Sequence, residues 1–242
     1  MSKTLTASKL IKNYGKKTIV NEVDIQLSKG EVVGLLGPNG AGKTTTFYMI
    51  SGLILPSSGK IMLGNQDITF KPMYLRARMG IGYLAQEPSI FSKLNVEDNL
   101  KIVLESFYPN RSELNLTINN LLEQFNISSI RKNLGGTLSG GERRRVEIAR
   151  TLALNPDFVL LDEPFAGVDP IAVEDIQQMI ISLKKQNIGI LITDHNVRET
   201  LSITDRSYLL NGGKILFAGN AKELSKNEEV RRLYLGKNFK LS

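Results

Sequence analysis

Cysteine is absent from this 242-residue chain, and histidine occurs only once. Without thiols there is no disulfide and no cysteine-based metal site, a composition that suits a reducing compartment. Nowhere do about 18 apolar residues follow one another, so no segment reads as a membrane-spanning helix. The opening MSKTLTASKL also lacks the apolar core of a signal peptide, and a cytoplasmic location is expected. Repeats, low-complexity stretches and sustained heptads are missing as well, which argues against long coiled coils.

What remains is a globular composition. The length suits one large domain, or one that carries an inserted subdomain, and such a chain buries roughly 70–75% of the surface it exposes when unfolded. Lys and Arg number 31 against 24 Asp and Glu, a formal charge of +7. Spread along the chain, these cations read as solubility and phosphate contacts, and no nucleic-acid partner is expected. Only Arg231, Arg232, Lys237 and Lys240 concentrate positive charge enough to suggest a partner surface.

Periodicity predicts an α/β fold. Residues 4–11 and 18–27 alternate apolar and polar, as half-buried antiparallel strands do. GEVVGLLG then reads as a buried strand that leads into a glycine-rich loop, with a helix from Thr44 to Ser51 ended by Gly52. Short strands at 60–64 and 81–84 flank a basic helical piece near Arg76 and Arg78. Residues 95–134 take helical spacing, through Leu100, Val103, Leu104 and Phe107 and again through Leu121, Leu122 and Phe125, with Pro109 and Asn110 between the two helices. The α/β rhythm then resumes with strand DFVLLDE, a helix over 171–185, strand IGILITD, a helix from Val197, and strands near 208–210 and 214–217. This alternation predicts a mostly parallel sheet covered on both faces. It also predicts a core of residues 1–87 and 156–219, an inserted helical subdomain over about 88–155, and a helical tail over about 220–242.

Gly37-Pro38-Asn39-Gly40-Ala41-Gly42-Lys43-Thr44 fits the phosphate-loop pattern GxxxxGK[ST], after a strand and before a helix. Glycines let the backbone fold around phosphates so that successive N–H groups point at them. Lys43 would supply charge to the β- and γ-phosphates of a nucleotide, and Thr44 a hydroxyl to Mg²⁺. Asp162 and Glu163 close an apolar strand, and ligands of open α/β sheets lie beyond such strand ends. Asp162 is expected to hold Mg²⁺ through water, and Glu163 to deprotonate the attacking water. Neighbouring acids at a strand end are often a solvated turn; the phosphate loop upstream decides against that here.

His195 follows the strand IGILITD and so falls on the same rim. Lone histidines are more often structural, yet this one could bond the γ-phosphate and keep Glu163 and the water in register. Gln86, which ends IGYLAQ, suits contact with both Mg²⁺ and water. Tyr14 is a candidate platform for an adenine ring, with an edge-strand tyrosine as the equally simple reading. Ser139, Gly140 and Gly141 read as a small turn before an amphipathic run with Val146, Ile148, Ala149 and Leu152, a second anion-binding helix start.

In order, Tyr14, GPNGAGKTT (through Thr45), Gln86, LSGGE (through Glu142), FVLLDEP, AGVDP and His195 resemble the motifs of the ABC ATPases over almost the whole chain. They match the A-loop, Walker A, Q-loop, signature, Walker B, D-loop and H-loop. The resemblance implies an ABC-ATPase nucleotide-binding domain, with an antiparallel β subdomain and an inserted helical one. It implies a head-to-tail homodimer with two ATP molecules, each held between one chain's phosphate loop and the partner's LSGGE turn. Asp169 in the D-loop would connect the two sites.

Finer runs, ARMGIGYLAQEPSIF, LLDEPFAGVDPIAV and VRRLYLGKNFKL among them, look like the ATPase subunits of bacterial lipopolysaccharide exporters, as does Phe165 after Pro164. That likeness implies two transmembrane permease partners and attachment to the cytoplasmic face of the inner membrane only through them. Ala85 departs from the pattern, where Pro is expected before the Gln. An amino-acid importer would share nearly all of these motifs. A soluble ABC protein would tend to carry a coiled insertion or a second cassette, and a phosphate-loop GTPase or kinase leaves LSGGE and His195 unexplained. Pro88, Ile90, Phe91 and Leu94 are expected to form a groove for a short helix of each membrane partner; the alternative is that Ile90 and Phe91 pack the subdomain core.

Overall fold

A computed structural model describes residues 3–236 and residue 239. Lys237 and Lys240 of the basic tail, and most of the stretch that follows Leu235, lie outside the described residues.

The chain opens with the long hairpin β1 (Thr4–Tyr14) and β2 (Lys17–Ser28), continues through β3 (Val32–Leu36) and α1 (Lys43–Ser51), and returns to the hairpin as β4 (Ser58–Leu63) and β5 (Gln66–Asp67). Together these strands make an antiparallel sheet of order β2-β1-β4-β5. The alternation read in the sequence slips along the hairpin, where Lys9 and Glu22 take positive φ and the register shifts between Ala7 and Leu10, Leu10 and Lys12, and Lys12 and Asn13. The slip keeps Leu5, Ala7 and Leu10 on the buried face despite their uneven spacing.

The remaining elements are α2 (Met73–Arg78), β6 (Ile81–Leu84), α3 (Val96–Leu104), α4 (Arg111–Gln124), α5 (Gly140–Leu152), β7 (Phe158–Asp162), α6 (Pro170–Lys185), β8 (Gly189–Thr193), α7 (Val197–Leu201), β9 (Arg206–Asn211), β10 (Lys214–Gly219) and α8 (Ala221–Lys226). A short helical turn over Glu228–Val230 and a π-helical turn over Arg231–Leu235 follow. The second sheet has the order β10-β9-β3-β8-β7-β6, parallel throughout except for the edge strand β10. Strands β3, β7 and β8 are buried at every residue, as expected for apolar runs covered on both faces. Because β3, β6, β7 and β8 all point the same way, the chain leaving each of them emerges on one rim.

The three helices α3 to α5 lie between β6 and β7 in the chain. Asn95 and Asn110 cap α3 and α4 by accepting N–H groups of Asp98 and Ser112. Val96, Leu100, Ile118 and Val146 from these helices join Val159, Ile176 and Ile190 in one buried cluster, so the helical insertion shares its core with one face of the sheet. The other face carries the hairpin and α1, packed through Val23, Phe47 and Leu160.

The basic piece near Arg76 holds a surprise. Arg76 is wholly buried, and its guanidinium donates to the carbonyls of Met49, Ile50, Thr69 and Lys71 at 2.7–2.9 Å. Two of these carbonyls belong to the last turn of α1, where unpaired acceptors and the helix dipole both favour a cation. Burial lowers the guanidinium pKa to about 10, so the group stays charged.

Candidate active site

Loop 37–42 leaves β3 and enters α1. At Gly42, with φ of 98°, a Cβ would lie 2.9 Å from the Ile19 carbonyl oxygen; at Gly37 it would lie 2.3 Å from that of Leu210. Neither place admits a side chain, which is why the loop is glycine at both ends. Lys43 opens the helix, so the N–H groups of the first turn are left for a ligand, and no acidic side chain competes for them. The Lys43 ammonium folds back on the carbonyls of Gly37 at 2.7 Å and Pro38 at 3.1 Å. Burial lowers its pKa, while the nearby charges of Glu163 and Asp162 act in the opposite sense. Asn39, Gly40 and Thr44 are exposed, Pro38 and Thr45 half-buried, and Ala41 buried against the hairpin.

Strands β7 and β8 keep register up to the pair Asp162 and Thr193, and Glu163 N–H donates to Thr193 O at 2.7 Å. Glu163 then takes a left-handed φ of 46°, a conformation that costs about 1–3 kcal/mol for a residue with a side chain and collects at functional sites. Its carboxylate is 9% exposed and accepts on both oxygens: Gln86 Nε2 lies 2.7 Å from Oε2, and His195 Nε2 lies 2.7 Å from Oε1. Asp162 is buried beside it, with Tyr83 OH at 3.4 Å from Oδ2. Burial, reinforced by the neighbouring Glu163 charge, pushes the Asp162 carboxyl up to about 6. Lys43, Gln86, Asp162, Glu163 and His195 therefore gather on the rim that the parallel strands share.

Gln86 does not end its strand as read from the sequence. β6 stops at Leu84, because its partner β7 pairs no further than Leu161 on that side. Ala85 has left the ladder, and its carbonyl accepts instead from Arg144 Nη1 at 2.8 Å.

Ser139–Gly141 form a helix start as the sequence predicts, with the two glycines inside the first turn and not ahead of it. Ser139 is the N-cap of α5, its hydroxyl accepting Glu142 N–H at 3.3 Å, while Glu142 Oε2 accepts Ser139 N–H at 2.8 Å. This reciprocal box winds Gly140 and Gly141 into the first helical turn. A Cβ on Gly141 would sit 2.8 Å from Ala172 Cβ, so the starts of α5 and α6 touch. Asp169 caps α6 by accepting Ala172 N–H at 3.0 Å. Among the described residues, the side chains of Ser139, Glu142 and Asp169 hydrogen-bond within their own helix starts, and none of them bonds to loop 37–45. Tyr14 ends β1 opposite Lys17, is 54% exposed, and has the Lys12 ammonium 5.2 Å from its ring centre.

Four participants escaped the sequence reading. Arg144 Nη2 donates to Asp162 O at 3.0 Å, and Glu147 accepts Ser89 N–H at 2.6 Å and pairs with Arg144 at 3.3 Å. Their signal was present: two charges at i and i+3 fall on the buried stripe of an amphipathic helix. Tyr83 and Asp194, within strand-end runs, offered no comparable signal. The run after Gln86 divides, with Ile90 partly buried against the helical core and Phe91 47% exposed under the Arg150 guanidinium, 5.0 Å from its ring centre.

The family described as ABC transporter matches residues 20–166. A lipopolysaccharide export system ATP-binding protein LptB from Haemophilus influenzae is 53% identical over 240 residues, covering 98% of this chain and 99% of that protein. The LptB of Escherichia coli is 51% identical over 243 residues, with 98% and 99% covered. A probable ABC transporter ATP-binding protein of Azorhizobium caulinodans is 55% identical over 238 residues, with 98% and 85% covered. Among solved structures, the ADP conformation of MJ1267, an ATP-binding cassette of an ABC transporter, superposes with a TM-score of 0.86 at 28% identity, covering 98% of this chain and all of that one.

Proposed function

The chain belongs to the ABC transporter family, and from that membership we propose that it is the ATP-hydrolysing subunit of an exporter that draws lipopolysaccharide from the inner membrane toward the outer membrane. The ATPase reading is carried by one observation: the Glu163 carboxylate held between Gln86 and His195 at the rim where Lys43 opens α1. The cargo is supported by the LptB relatives, alike over nearly their whole length.

In this reading the first turn of α1 and loop 37–45 bind the phosphates, and Lys43 leaves the carbonyls of Gly37 and Pro38 for the β- and γ-phosphates. Tyr14 stacks on the adenine. Glu163 takes the proton of the attacking water on a carboxylate oxygen, and His195 keeps that carboxylate aimed while reaching the γ-phosphate. Thr44, Gln86 and Asp162 offer a hydroxyl, an amide carbonyl and a carboxylate, the oxygen donors that a hard divalent cation prefers. The Gln86 N–H already engages Glu163, which leaves the carbonyl oxygen as its donor. Mg²⁺ bound there would neutralise charge on the phosphates.

Ser139, Gly140, Gly141, Glu142 and Asp169 serve a second copy of the chain, in a head-to-tail dimer with two shared sites. The helical insertion over about 88–155 turns against the core of 1–87 and 156–219 as the dimer closes. Phe91, exposed beside the Q-loop, belongs to the groove that receives a helix from each of two membrane partners. Among the described residues no helix is long and apolar enough to cross a membrane, and attachment to the cytoplasmic face runs through those partners. Purification in detergent tests the cargo: partners with six spans each and a periplasmic β-rich domain support it, whereas importer-like permeases would overturn it.

A further inference from the structure

Beyond Thr193 the ladder between β7 and β8 ends. Glu163 turns away through its left-handed φ, and the chain from β8 passes to His195, whose side chain is 53% exposed. Beyond the Glu163 N–H bond to Thr193 O, no backbone hydrogen bond is seen among the described residues between the two loops that hold the 2.7 Å contact of His195 Nε2 with Glu163 Oε1.

Asp194 spans the gap. Its side chain is buried, and its two oxygens face different loops. Oδ2 accepts Phe165 N–H at 2.9 Å, two residues past Glu163. Oδ1 accepts Asn196 N–H at 2.8 Å, on the far side of His195. Phe165 is itself 1% exposed and sits in the core cluster with Ile176 and Ile192, which anchors the far end of the clip. The chemistry calls for a carboxylate. An amide would turn an N–H toward one of these donors, and a hydroxyl is too short to reach both loops.

We infer that Asp194 is a positioning residue for ATP hydrolysis: by tying the turn after Glu163 to the loop that carries His195, it fixes the distance between the two without touching nucleotide. This rests on the reading of Glu163 and His195 as the hydrolytic pair.

The test is a kinetic cycle on the full chain, with Asp194→Ala, His195→Ala and the double variant followed by phosphate release. Asp194→Ala alone should lower kcat by about 10–100-fold, the scale of a small misplacement at a reacting centre, with KM for ATP within about threefold of the parent. In the His195→Ala background the same change should alter kcat by less than about twofold, because the pair it serves is already gone. Equal losses in both backgrounds, or parental kcat in Asp194→Ala, would overturn the inference. Asp194→Asn keeps the shape and one acceptor, so it carries the same test with a smaller expected loss should the alanine variant unfold; parental kcat there overturns the clip as well. If His195→Ala itself turns over like the parent, the reading of the hydrolytic pair fails. If His195→Ala is slow and Asp194→Ala is not, the clip alone fails.

Discussion

Gln86 donates its side-chain amide to the Glu163 carboxylate across 2.7 Å, although 77 positions separate the two residues in the chain. With His195 on the other oxygen, each oxygen of the carboxylate has a partner. Glu163→Gln keeps the shape and part of this bonding but removes the proton acceptor. Phosphate release should slow by about 10²–10⁴-fold while ATP is still bound, so that closed dimers accumulate. Size-exclusion chromatography with ATP, alongside turnover, checks both halves. Normal turnover would remove Glu163 from the role of base.

In the proposed head-to-tail dimer, Lys43 and Ser139 of one chain serve different sites, so sharing can be tested by mixing variants. A dimer that pairs a Lys43→Ala chain with a Ser139→Ala chain retains one undamaged composite site, and each homodimer retains none. Mixed dimers should hydrolyse ATP above either homodimer. Activity no higher than that of the homodimers would count against sharing, or would require the two sites to fire only together.

How legible was all this beforehand? Asp162, Glu163 and His195 could be read because each stands at the end of an apolar run, where a parallel sheet exposes its ligands, and Lys43 because it closes a glycine-rich loop between a strand and a helix. The beginning of α5 was legible as an anion-binding helix start, but its two glycines read as a turn ahead of the helix, whereas the capping box of Ser139 and Glu142 winds them into the first turn. Arg144, Glu147 and Asp194 act mainly on backbone groups of distant loops. The i, i+3 spacing of Arg144 and Glu147 marks them as buried charges, but the loops they bind are set by tertiary approach. Arg76 was legible as a cation but not as a buried one, because its four carbonyl acceptors come from two separate stretches of chain.

Arg76 consequently carries a stability prediction. Arg76→Met fills similar volume but leaves the carbonyls of Met49, Ile50, Thr69 and Lys71 without their donor. The loss should be about 3 kcal/mol, seen as a lower urea midpoint at unchanged slope. A lysine offers one ammonium in place of a planar fork and should recover only part of it. An unshifted midpoint in Arg76→Met would show that water or relaxation satisfies these groups.

Phe91 tests the groove. Its exposed ring lies under Arg150 and contributes little to the core, so Phe91→Ser should leave the melting temperature and ATP binding close to parental. Recovery of the membrane chains with the subunit in detergent should fall. Unchanged recovery would assign the contact to other residues.

Glu97 offers a prediction in pH. It opens α3 and binds the side chains of Arg131 and Lys132 from beyond α4. The hydrogen bond from Arg131, then that from Lys132, holds its carboxyl at about 2, against the ordinary 4.5. A carboxyl depressed in the folded state stabilises fully above its unfolded pKa, and the contribution is lost as pH falls from about 4.5 toward about 2. Lys132 is 75% exposed, and solvent screens that arm, so the whole pair of bridges should contribute only about 1 kcal/mol. The gap in unfolding free energy between the parent and Glu97→Gln should therefore be widest near neutral pH and narrow steadily below about 4.5. Urea titrations of both proteins at several pH values measure it. A gap that stays constant down the acid limb would mean that the bridges contribute through shape and packing, with no share from the charge of Glu97.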